Sequence, residues 1–91
     1  MVFIINEKIY DTEKMEQLSQ CDIQCGREYN TGTGAFERKI GRVSLYVSKK
    51  GNYLLECGGE AIAISKKEAK RFLQKYDYEV YRRLFGELKE A

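Results

Sequence analysis

Three cysteines carry the most specific chemistry in this chain. Three residues separate Cys21 from Cys25, Gly26 directly follows the second, and Cys57 is followed by Gly58-Gly59. Paired zinc thiolates sit at such spacings, and a following glycine lets backbone amides turn toward the sulfur. Three thiolates need a fourth ligand. The chain has no histidine, so the candidates are Asp22, Glu56, Glu60, a dimer partner or water. Cys21, Cys25 and Cys57 are therefore the candidate metal set, for one structural zinc. The competing reading is three reduced cysteines packed as small hydrophobes. Three cysteines cannot all pair within one chain, and with the interior of a cell as the expected compartment no disulfide framework is anticipated.

Catalysis is poorly provided for. The commonest general base is absent along with histidine, no lysine or helix start is placed to activate a cysteine nucleophile, and the acidic residues are dispersed. The expectation is that the protein is not an enzyme. Thr31-Gly32-Thr33-Gly34 contains a G-x-G but lacks the third glycine and the strand–turn–helix context of a dinucleotide site. It reads as a loop.

The element that must position Cys57 is a β-hairpin over Gly41–Gly59. Val43, Leu45 and Val47 alternate with Ser44, Tyr46 and Ser48, the period of a half-buried strand. Lys49-Lys50-Gly51 supplies the turn. Pairing Ser48 with Asn52 sets Leu45 opposite Leu55 and Val43 opposite Cys57, with Val43, Leu45, Val47, Tyr53, Leu55 and Cys57 on one face. Upstream, Val2-Phe3-Ile4-Ile5 and Lys8-Ile9-Tyr10 read as short strands around an Asn6-Glu7 turn. Asp11 or Thr12 is placed to cap a helix over about 12–19, with Met15 and Leu18 inward. Residues 27–34 read as loop, and 35–40 as a strand bent at Gly41.

Downstream, Ala61–Ile64 reads as a last strand, and Ser65-Lys66-Lys67-Glu68 is a capping box opening a helix over about 66–76. Ala69, Phe72, Leu73 and Tyr76 form its apolar stripe. Asp77 is placed to cap a second helical segment, about 78–85, with Tyr81, Leu84 and Phe85 inward and Gly86 as its stop. The fold class expected is α+β: a small antiparallel sheet built on the central hairpin, with a short N-terminal helix and C-terminal helices packed on one face. Ninety-one residues make one domain, 1–91.

Composition narrows the partners. With 43% hydrophobic and 33% charged residues the chain is globular in class, and no apolar run approaches a membrane span. A cytoplasmic protein with no membrane partner is the expectation. The net charge of +2 is too mild for a nucleic-acid binder by composition and excludes a strongly acidic DNA mimic. Lys66, Lys67, Lys70, Arg71, Lys75, Arg82 and Arg83 nonetheless concentrate positive charge on the C-terminal helices, where phosphates could dock. The ordinary wet side of an amphipathic helix is the simpler explanation of them. Tyr46 on the outer face of the hairpin could stack on a base.

The run from Ile5 to Glu13, the stretch Leu45-Tyr46 through Lys50-Gly51-Asn52-Tyr53-Leu54-Leu55 to Gly58-Gly59, and Ser65-Lys66-Lys67-Glu68-Ala69 with Tyr81 and Leu84-Phe85-Gly86-Glu87 together resemble a family of small proteins carried by phages and mobile elements of Gram-positive bacteria. The resemblance spans nearly the whole chain through short motifs. In overall character the chain is similar to type II-A anti-CRISPR proteins. That similarity implies a stoichiometric inhibitor that binds a Cas9-type effector by protein–protein contact and blocks its DNA targeting. No residue carries over as a contact. The chain departs from the family in a shortened segment after Gly58-Gly59 and in its cysteines, so the zinc reading rests on the residues alone. The alternative function is a small nucleic-acid-binding or regulatory module that uses the basic C-terminal helices.

Overall fold

The computed structural model describes residues 1–30, 32 and 34–89, with the side chains of 24–30 and 36–40 outside that description. The chain is α+β, with two antiparallel sheets and two helices. Strands β1 (Val2–Ile5) and β2 (Lys8–Asp11) form a two-stranded sheet. Strands β3 (Glu16–Asn30), β4 (Ala35–Val47), β5 (Tyr53–Cys57) and β6 (Glu60–Ile64) form a four-stranded sheet in sequence order. Helices α1 (Lys66–Tyr76) and α2 (Tyr78–Phe85) complete the chain.

The central hairpin pairs as its alternation dictates: Val43 with Cys57, Leu45 with Leu55, Val47 with Tyr53. Its turn is closed by Ser48 N–H on the Asn52 carbonyl and Gly51 N–H on the Ser48 carbonyl, each 2.9 Å. Gly51 supplies the positive φ of 84° that this turn demands. At the first turn, Asn6 and Glu7 both hold positive φ, 51° and 64°. That is the backbone of a two-residue primed turn, which asparagine tolerates and glutamate adopts only under strain.

The helix expected over 12–19 is not formed. Asp11 does cap, its carboxylate accepting from Glu13 N–H at 3.1 Å, but it starts only a single 3-10 turn over Thr12–Lys14. By Met15 the backbone is extended, and β3 begins at Glu16. The reason is competition. A two-turn helix with two inward residues is marginal, whereas the same residues supply β4 with a ladder partner from Glu16 to Asn30. A register shift between Gln17 and Ser19 places Leu18 and Ser19 side by side, and both are buried. The backbone of the supposed loop continues as β3 to Asn30, and β4 passes through Gly41 without a break, pairing it with Ile23. Thr31 and Thr33 lie outside the described residues.

The core lies on one face of the large sheet. Leu18, Val43 and Leu45 from the strands cluster with Ala69, Phe72 and Leu73 of α1 and Tyr81 of α2. Helix α1 begins at the capping box, with Glu68 N–H on Ser65 Oγ and Ser65 N–H on Glu68 Oε1, both 3.1 Å. The inward stripes are narrower than expected, since Tyr76 and Leu84 are 40% and 42% exposed. Asp77 makes no side-chain cap for α2. Instead its Oδ2 accepts from the buried Ser19 hydroxyl at 2.6 Å, tying the junction of the helices to the bulge in β3. Leu54, next to Leu55 and so on the opposite sheet face, is also fully buried.

Candidate functional site

The register assembles one row across the large sheet. Cys21 pairs with Val43, and Val43 pairs with Cys57, so two of the three cysteines share the helix-facing side with one strand between them. Two strand spacings separate their backbones by about 10 Å. Cysteines farther apart than about 7 Å between Cα atoms cannot bond to each other. A single metal would require both side chains to lean across the buried Val43.

The two have different states. Cys57 is disulfide-bonded and packs half-buried against the core. This differs from the expected reduced set. Cys21 is a free thiol. Its Sγ stands 3.6 Å from Ser19 Oγ and donates to the Tyr76 carbonyl at 3.7 Å. Ser19, Cys21 and Asp77 thus form a small polar cluster where β3 meets the helix junction. The side chain of Cys25 lies outside the described residues. Among the described residues, no three Cys, Asp or Glu side chains gather as a metal-binding group. Of the carboxylates considered as a fourth ligand, Asp22 ion-pairs with Arg42 at 3.2 Å on the exposed surface. Glu56 alternates onto the face opposite Cys57, and only Glu60 pairs directly with Cys57. As long as Cys57 is oxidised, it offers no thiolate, and these residues do not fit a zinc centre in that state.

The basic helices are partly occupied by their own aromatic neighbours. Lys70 and Lys66 place Nζ 4.9 Å and 5.8 Å from the Phe85 ring centre, and Lys75 lies 5.2 Å from that of Tyr76. Arg82 reaches Glu87 at 3.7 Å. Tyr46 is only half-exposed on the outer face, beside the buried Leu54.

One candidate surface emerges only in the fold, on the N-terminal sheet. Ile4 pairs with Ile9, so both stand on one face with Val2, and they are 75%, 74% and 61% exposed. Phe3, Ile5 and Tyr10 take the other, more buried face. The signal was present: Val2-Phe3-Ile4-Ile5 is apolar on both sides of the pleat, and a small domain has no second layer with which to cover both. Comparison with protein-family models, curated proteins and solved structures finds no match for this chain.

Proposed function

We propose that this chain is a non-catalytic interaction protein, an anti-CRISPR-type inhibitor that binds a Cas9-type effector by protein–protein contact and blocks its DNA targeting. The observation that carries the binding reading is the uncovered apolar face of Val2, Ile4 and Ile9. Contiguous exposed apolar surface of this kind marks contact sites. The choice of effector comes from the resemblance to small phage and mobile-element proteins. The nucleic-acid alternative has weaker support, because several cations of the C-terminal helices already face aromatic rings or a carboxylate. A structural zinc on Cys21, Cys25 and Cys57 belongs to this reading only for the reduced protein.

The test is guided DNA cleavage by several type II-A effectors with the purified protein in molar excess. Inhibition that disappears in the Ile4→Glu/Ile9→Glu variant, with an unchanged circular dichroism spectrum, is the expected result. Cleavage that proceeds unaltered for every orthologue overturns the proposal.

A further inference from the structure

The outer side of β2 borders a groove with its own chemistry. Five consecutive residues, Glu7 to Asp11, line it. Consecutive residues point to alternate faces of a strand, so what borders the groove is the strand's edge. The β4–β5 turn, with Ser48, Lys49, Lys50 and Asn52, completes the lining together with Lys14 and Met15. The space between measures ≈ 800 Å³.

Among the described residues the edge has no strand partner, and the hydrogen-bond phase says which groups it offers. Thr12 N–H bonds to the Met1 carbonyl at 2.9 Å, which fixes the alternation along the ladder. Lys8 and Tyr10 therefore direct their backbone groups to β1. Ile9 and Asp11 turn theirs outward, and among the described residues no other strand pairs with β2. Ile9 is 74% exposed and Asp11 half-buried.

Charge selects the occupant. Lys8, Lys14, Lys49 and Lys50 rim the groove against Glu7 and Asp11. Among the described residues, none of these lysines is ion-paired. Lysines on an edge strand alone serve to discourage pairing. Here two of the four come from the β4–β5 turn and not from the edge strand. We infer that this groove binds an extended acidic peptide segment, which adds as a strand to β2 through Ile9 and Asp11 while its carboxylates meet the four lysines. A nucleic acid fits less well. The lining includes Ile9, Tyr10 and Met15, two carboxylates face the same space, and an edge of alternating N–H and C=O complements a peptide backbone. The inference stands on the groove and not on the identity of any effector.

The experiment uses the full chain, labelled with nitrogen-15, and three probes: an octapeptide alternating Glu and Val, its Lys and Val counterpart, and an oligothymidylate of similar length. Binding of the acidic peptide should slow hydrogen exchange at the Ile9 and Asp11 amides and leave Tyr10 unchanged. Lys49→Glu with Lys50→Glu should weaken it about tenfold. Ile9→Pro should abolish it, because that substitution removes an outward N–H the fold does not use. The turn double variant keeps the test decisive if the proline perturbs β2. Equal binding of both peptides, binding of the oligonucleotide alone, no binding of any probe at millimolar concentration, or indifference to the turn variant each overturns the inference.

Discussion

The helix-covered face of the large sheet and the outer face of the N-terminal sheet are built from the same residue types and have opposite fates. Leu45 and Leu73 are fully buried, while Ile4 and Ile9 are three-quarters exposed. The difference lies in what each sheet has to lean on. The large sheet has four strands and two amphipathic helices whose apolar stripes close over it. The small one has two strands, and one of its faces is left for solvent or a partner. Hydrophobic sequence alone does not make a core; a second layer does.

Truncation should break the two regions very unequally. Leu45→Ala is expected to cost about 3 kcal/mol in denaturant unfolding, from lost transfer energy and a residual cavity, whereas Ile9→Ser should stay within about 0.5 kcal/mol. A large loss at Ile9 would mean that the exposed face is covered in solution, by self-association. Cys57 sits on the buried side of this comparison. Reductant should lower stability by roughly 2 kcal/mol or more if the disulfide is what holds it, with no response to chelator. A chelator-sensitive melt of reduced protein, with stoichiometric metal, would instead support zinc on Cys21, Cys25 and Cys57.

A smaller effect is expected where the two helices join. Ser19→Ala leaves the Asp77 carboxylate without its 2.6 Å donor and should cost about 1–2 kcal/mol, with Asp77→Asn recovering part of it. In the small sheet the sign reverses. Glu7 holds a φ of 64°, so Glu7→Gly should stabilise by up to about 1 kcal/mol, read as a raised melting temperature. The smallest effect is acid-dependent. The Ser65 backbone N–H, and then its hydroxyl, hold the Glu68 carboxyl below the ordinary carboxylate range. A depressed folded-state pKa adds stability above the unfolded value, and that increment disappears as pH falls through the folded one. Glu68→Gln should flatten this part of the pH–stability curve, and an unchanged slope would remove the capping box from the acid response.

Local signals made much of the fold legible. The register from Val43–Cys57 to Val47–Tyr53 followed from alternation and a glycine-bearing turn. Helix α1 begins at its capping box and α2 ends at Gly86, as their residues dictate. These features are decided by residues within a few positions of one another, so sequence alone determines them. It also placed Cys57 at the end of its strand on the core side.

Tertiary structure decided the rest. Residues 16–19 carry weak helical spacing, yet β4, far along the chain, takes them as its ladder partner. No short window contains that contact. The redirection of Asp77 from helix cap to the Ser19 hydroxyl spans 58 residues, and the bulge that sets Ser19 in place forms only in the β3–β4 ladder. The cysteines divide in the same way. Their spacing announces sulfur chemistry, but whether a sulfur is a ligand, a disulfide or a lone thiol depends on its neighbours in space, which the fold brings together from distant parts of the chain.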